Sequence, residues 1–271
     1  MIGTPNTPWL ETAGAWLLAG LWILPLAYAF WAAFHAPGDA TSLRLASPIV
    51  LDNFHYVWKV APFPTYFLNT FMLVTLILVV QLVLATLAGF AFARYDFPFK
   101  NIIFGTILLQ LMIVPEALMV ENYRTINFFG LNDSILGMAV PYFASAFGIF
   151  LMRQTFKSIP KELDDAAVVE GATSVQVLWR VYVPLARPTL LAYGLVSVSY
   201  HWNNFLWPLI VSNSVDSRPL TVGLQVFSSV DQGINWSFIS AATLLSVAPL
   251  LIAFLLFQKQ FVQSFLRAGI R

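Results

Sequence analysis

Two places in this chain set chemically capable side chains inside apolar runs. Glu116 follows Pro115 near the middle of the run 102–120, and Tyr200, His201, Trp202, Asn203, Asn204 and Trp207 crowd one stretch of the run 188–210. A charge in hydrocarbon costs about 2.5–3.5 kcal/mol on insertion scales, so Glu116 is expected to face the bundle rather than lipid. Pro115 leaves the carbonyl of Leu111 without its usual donor and predicts a kink, and kinked or broken helices often line binding sites. Glu121, Asn122 and Tyr123 come next, nearer the outer boundary. In the second cluster, indole faces suit the C–H surface of a sugar and amides its hydroxyls. His201 and Asn204 lie one turn apart and are expected to face a pathway together. The plainer alternatives are a hydrogen-bonded Glu116 at a subunit interface and Trp and Asn side chains that only bridge helices.

A carboxylate and an imidazole also invite an enzymatic reading, with Glu116 and His201 as acid and base. Nothing else in the chain supports it. There is no G-x-x-x-x-G-K-[ST] phosphate loop and no G-x-S-x-G elbow. His35, His55 and His201 are scattered without ligand spacing, and cysteine is absent. No catalytic residue and no metal site is expected.

These side chains must be positioned by membrane-length helices. The chain is 59% hydrophobic and 10% charged, far from a soluble domain. About 20 apolar residues cross a bilayer core, and six runs qualify, near 13–34, 66–93, 102–120, 134–153, 188–210 and 238–260. The first lacks a basic leader and a small-residue cleavage site and is read as a retained helix. Lys and Arg set the orientation. Arg94, Lys100, Arg153, Lys157, Lys161, Arg180, Arg187, Lys259, Arg267 and Arg271 fall on one side, against Arg44, Lys59, Arg124 and Arg218 on the other. Both termini and the 154–187 loop are therefore expected in the cytoplasm. The expected fold is all-α and polytopic, with six transmembrane helices and a cytoplasmic helix-turn-helix. The net charge of +1 points to no particular partner, and no nucleic acid is expected.

That helix-turn-helix, 160–184, holds Glu162, Asp164, Asp165 and Glu170 in a chain with thirteen acids. Pro160 suits a first helical turn and the acids suit its dipole. Leu163, Ala166, Ala167 and Gly171 form a stripe of mostly small side chains. Gly171 reads as the C′ residue with positive φ, and Thr173 with Gln176 as the capping box of a second helix. That second helix is expected to pack through Val175, Leu178, Trp179 and Tyr182 and to stop at Pro184.

Asp165-Ala166-Ala167, then Gly171, then Val181-Tyr182-Val183-Pro184 resembles the EAA motif, E-A-A-x3-G-x9-I-x-L-P, of permease subunits of ABC importers. Asp stands for Glu at 165, and Val for Ile and Leu at 181 and 183. Asp52-Asn53-Phe54, Phe92 to Pro98 and Met112 to Pro115 are similar to the carbohydrate branch, in particular the second permease of the maltose system. The stretch 202–209 is similar to glycerol-phosphate permeases. The resemblance covers about 50–265. It implies that Asp165, Ala166, Ala167, Glu170, Gly171 and Pro184 couple this chain to a separate ATPase, two copies of which carry ATP and Mg, while this chain binds no cofactor. It further implies a second homologous permease and an external solute-binding protein, met in the 211–237 loop at Pro219, Leu220, Val222 and Gly223. The location would be a bacterial cytoplasmic (inner) membrane. The implied domains are 1–61 (tail, first helix, external loop), 62–261 (importer transmembrane domain) and 262–271 (cytoplasmic tail). The solute would be a sugar, oligosaccharide or polyol derivative, with glycerol-phosphate or a related polar solute as the alternative. A remoter reading is a secondary transporter driven by protonation of Glu116.

Overall fold

The computed structural model describes residues 8–42, 44, 46–228 and 234–269, and no strand occurs among them. The helices are α1 (Pro8–Ala33), α2 (Pro37–Ser42), α3 (Asp52–Val60), α4 (Phe63–Arg94), α5 (Lys100–Leu109), α6 (Met119–Phe128), α7 (Ile135–Ala139) and α8 (Ala146–Lys157). They continue with α9 (Glu162–Val169), α10 (Ser174–Val177), α11 (Val183–Leu185), α12 (Arg187–Trp202), α13 (Leu206–Val211), α14 (Leu220–Gly223) and α15 (Trp236–Gly269).

Three expected spans are single long helices: Glu11–Ala33, Phe63–Arg94 and Trp236–Leu256 are each apolar and long enough to cross a membrane. The other three expected runs lie in bent helix pairs. Lys100–Met112 and Pro115–Phe128 meet at 98°, Ile135–Tyr142 and Ala146–Lys157 at 50°, and Ser174–Leu185 and Arg187–Trp202 at 76°. If each bent pair is one span, the crossings number six. The run 188–210 is likewise interrupted after Trp202, before α13. At the sharpest bend Pro115 removes an amide donor and forces the residue before it out of the helical region. Val114 is accordingly extended, with φ −69° and ψ 127°. The expected kink is thus a full break, and Glu116 sits in the 3-10 turn Pro115–Leu118 just after it, exposed on this chain. At the second bend Ser145 caps α8 by accepting from Gly148 N at 3.1 Å.

The chain divides into two compact units, 1–63 with 223–248 and 64–222 with 249–271. In the first, Asn53 Nδ2 donates to the carbonyls of Ala33 and His35, both at 2.9 Å, which satisfies the end of α1 from within α3. Tyr56 stacks on Phe238 with ring centroids 4.2 Å apart. In the second, two cores form along α4. Phe90, Phe104, Met152, Phe156, Leu178 and Tyr182 gather near its C-terminal end, while Leu73, Ile77, Met138, Trp207 and Val211 gather near its N-terminal half. Gln81 lies between them on α4. Helices α8 and α12 touch where Gly148 meets Tyr193: a Cβ on that glycine would stand 2.8 Å from the ring, so only glycine permits this approach.

Candidate functional site

The polar helix-turn-helix is built as local chemistry dictates. Gly171 has φ +84°, its N–H bonds Val168 O at 2.9 Å, and the Ala172 N–H bonds Ala167 O at 2.9 Å. This pair of bonds closes α9 as a complete Schellman motif. Thr173 and Gln176 make the reciprocal capping box, Thr173 N donating to Gln176 Oε1 at 2.8 Å. Pro160 departs from expectation, lying ahead of the Lys161 N-cap rather than in the first turn.

Two further differences share one cause. Residues Leu178–Tyr182 form a π-helical turn, which widens the helix by a residue and rotates the segment beyond it. Val175 and Trp179 are therefore exposed, at 65% and 48%, and Val177 is buried with Leu178 and Tyr182 instead. The same wide turn relieves the clash Pro184 would make with the carbonyl of Arg180. The helix thus runs through Pro184 to Leu185, and the chain bends at Ala186.

Of the motif residues, Asp165, Ala166, Glu170 and Gly171 are exposed, while Ala167 and Pro184 are half-buried. The side chain that ties α9 to the transmembrane helices is Asp164. Its Oδ2 lies 3.3 Å from Arg94 Nε in a charge contact, with side-chain exposures of 23% and 8%. Arg94 also donates through Nη2 to Ile159 O at 2.6 Å and lies over the Tyr182 ring, 4.8 Å from its centroid. The sequence signalled Arg94 as an orienting charge and as part of the stretch Phe92 to Pro98, without its partner, and periodicity does not separate Asp164 from Asp165.

A cavity of about 380 Å³ lies in the second unit, lined by residues of the first two helix breaks, of mid-α4 and of the C-terminal part of α12. Gln81 organises its wall. Its Oε1 accepts from Tyr193 OH at 2.9 Å and Ser197 Oγ at 2.6 Å. Its Nε2 donates to Tyr142 O at 2.6 Å and lies 3.3 Å from His201 Nε2. Of the expected pathway residues, Tyr200, His201 and Trp207 line the cavity. Trp207 is buried and donates through Nε1 to Met138 O at 3.0 Å. Asn204 does not line the cavity but donates to Tyr142 OH at 2.9 Å, behind the lining. Asn203 turns back on its own helix, donating to Ser199 O at 2.7 Å. Glu116 is outside the lining, although Pro115 and Leu118 beside it are part of it. Gln81 was missed at the sequence level, where a lone amide in the apolar run 76–85 was the available signal. Among the described residues no group of three His, Asp or Glu side chains gathers as a metal site would require.

Residues 20–267 match the family model described as binding-protein-dependent transport system inner membrane component. The chain belongs to that family. This permease is 30% identical to the arabinooligosaccharides transport system permease protein AraQ of Halalkalibacterium halodurans, over 99% of this chain and 98% of the relative. It is also 30% identical to the sn-glycerol-3-phosphate transport system permease protein UgpE of Shigella flexneri, over 96% and 97%. Its fold is similar to a chain of a bacterial ABC transporter involved in the import of the acidic polysaccharide alginate, with TM-score 0.82, 22% identity and coverage of 96% and 99%. A second solved chain belongs to the bacterial alginate transporter in complex with an alginate pentasaccharide-bound periplasmic protein, with TM-score 0.63 and 15% identity. The permease is thus an importer subunit and a polytopic inner-membrane protein, and its own family is one of transport rather than catalysis.

In the permease the segment 211–220 is pinned from two sides. Asp133, itself at φ +55°, accepts at Oδ1 from Asn213 N at 2.7 Å, Ser214 N at 2.9 Å and Ser217 Oγ. Asn69 Nδ2 donates to Asp216 O at 2.6 Å and Arg218 O at 3.0 Å, and Leu220 N donates to Thr70 Oγ1 at 2.8 Å. Pro219, Leu220 and Val222 are consequently buried, Gly223 is buried as well, and Asn213, Val215 and Asp216 are exposed within the pinned segment. The part of the expected contact loop at 229–233 lies outside the described residues. Burial alone would raise the Asp133 carboxyl, but the bonds from Ser217, Ser214 and Asn213 outweigh it and hold the group down at about 2. A depressed carboxylate stabilises above its unfolded value, near 3.9, and that contribution is lost as pH falls through the folded value. The prediction is a loop that keeps its hydrogen-exchange protection at 213–217 down to about pH 4 and loses it toward pH 2. Asp133→Ala should show the unprotected pattern at neutral pH, and equal protection in both proteins would refute the pin.

Proposed function

We propose that this permease is one of two transmembrane subunits of an ATP-driven importer and that a separate ATPase subunit seats on the bracket formed by α9 and α10. One observation supports this most: the bracket is anchored on one side and open on the other. Asp164 and Tyr182 face Arg94, whereas Leu163, Val168, Val169, Val175 and Trp179 are exposed, Val169 at 88%. Exposed apolar surface rimmed by charge, here Glu162, Asp165 and Glu170, marks a protein contact.

On this reading ATP and Mg belong to the partner, the bracket and both termini are cytoplasmic, and closure of two ATPase subunits drives alternating access. An external binding protein delivers a sugar, oligosaccharide or polyol derivative, as the AraQ relative and the alginate complex suggest. A phosphorylated solute is the alternative that the UgpE relative favours. Copurification and then reconstituted uptake test the proposal. A tagged permease should bring down an ATPase subunit and a second permease, and uptake should need ATP and ignore a protonophore. Isolation of the chain alone, or uptake that collapses with the proton gradient at constant ATP, would favour the secondary transporter instead.

A further inference from the structure

We propose that the cavity around Gln81 is a specificity site for an uncharged, hydroxyl-bearing unit of the solute, that the His201 Nδ1–H is its donor, and that Gln81 is the positioning residue that fixes that tautomer. The inference rests on the importer reading and narrows its solute class.

The hydrogen-bond pattern carries the argument. Gln81 Oε1 is occupied by two hydroxyl donors, Tyr193 and Ser197, which fixes the amide so that its nitrogen faces the Tyr142 carbonyl and His201. That nitrogen only donates, so His201 Nε2 must accept. A neutral imidazole that accepts at Nε2 carries its hydrogen on Nδ1. His201 is 6% exposed, and its Nδ1 has no hydrogen-bond partner among the described residues. A buried donor without a partner is unfavourable until an acceptor arrives; Nδ1 is itself closed off, so an acceptor in the cavity that His201 lines reaches it when the side chains of that wall part. Protonating His201 would set Nε2–H against the amide hydrogens of Gln81, so the network also opposes a cation there.

The lining that this chain supplies disfavours the other solute class. Among the described residues around the cavity there is no Lys, Arg, Asp or Glu. A phosphate or carboxylate entering it would shed water without meeting a positive charge, which is costly. A neutral sugar instead meets the exposed rings of Phe147 and Tyr200 and amides from Gln110 and Asn122. The volume of about 380 Å³ falls at the small end of ligand sites, near ~300–1,000 Å³, and so suits a single unit of a longer chain. Irregular backbone at membrane depth is tolerated where it is buried or lines such a space, and Ile113 and Ala144 at the two breaks do line it.

Only three histidines occur in the chain, so nitrogen NMR of the ¹⁵N-histidine-labelled permease, purified with whatever subunits accompany it, tests this directly. His201→Asn assigns the signal. The expected spectrum at neutral pH shows His201 as the neutral Nδ1–H form, perturbed by millimolar arabinobiose and unmoved by sn-glycerol 3-phosphate. Gln81→Leu should lose the Nδ1–H form, and if that variant does not accumulate the wild-type spectrum still decides. An Nε2–H or doubly protonated His201, no response to arabinobiose, or an equal response to the phosphate would each overturn the proposal. The spectrum needs neither ATP nor uptake, so it can fail while the importer reading stands, and the copurification can fail while the spectrum stands.

Discussion

Replacing Gly171 with valine should cut uptake at least tenfold while the permease still accumulates in the membrane. The backbone there holds φ +84°, a conformation that costs an L-residue about 1–2 kcal/mol and a β-branched one more. Among the described residues nothing beyond the adjoining ones lies within 4 Å of a Cβ added at Gly171, so within this subunit the change acts chiefly through backbone strain. Strain of ~1–2 kcal/mol is small against the ~5–15 kcal/mol that holds a domain together, yet it acts where α9 turns into α10. If Gly171 ended the helix and did nothing more, Gly171→Asn, which tolerates the left-handed region, would restore uptake fully. On the docking reading Gly171→Asn restores the helix end but leaves a side chain against the ATPase, so uptake stays well below wild type. Uptake by reconstituted vesicles, scaled to permease content, distinguishes the two, and wild-type uptake in Gly171→Val would remove the bracket from the mechanism.

The second large effect is expected at the Arg94–Asp164 pair, which is distinct from the motif residues. Both partners are mostly shielded, and removing one member of such a pair leaves an uncompensated charge, at a cost of roughly 3–5 kcal/mol. The 23% exposure of Asp164 places its removal at the lower end of that range. Asp164→Ala and Arg94→Ala should therefore lower the thermal stability of the detergent-solubilised complex, Arg94→Ala the more, because Arg94 also caps Ile159 O and covers Tyr182. Replacing both by leucine removes the unpaired charge and should recover most of the stability. If the pair transmits the movement of α9 to α4, the double variant will be stable and still hydrolyse ATP without matching transport. A double variant with wild-type transport per ATP would reduce the pair to a structural tie.

Much of the bracket was legible in the chain because its determinants are short-range. A glycine at C′, a Thr–Gln box three residues apart and acids in the first turn each act within one helical turn, and each is found as expected. The apolar runs were equally legible, since crossing hydrocarbon depends on length and composition. Their breaks were only partly so. Pro115 announced a disturbance, but a 98° turn requires neighbours that satisfy the freed backbone groups. The wide turn at Leu178–Tyr182, which moved the packed face from Val175 and Trp179 to Val177, had no signal beyond the proline after it.

By itself the sequence settled that the chain is helical, lives in a membrane and carries a capped polar bracket, because these properties are sums over neighbouring residues. Tertiary structure alone decided which of two adjacent acids turns inward to Arg94. It also decided that Gln81, Tyr142, Ser197 and His201 meet, although their positions along the chain are up to 120 residues apart. Such pairings depend on how separate helices pack and bend, and that geometry is a property of the whole bundle, which no single segment of the chain carries.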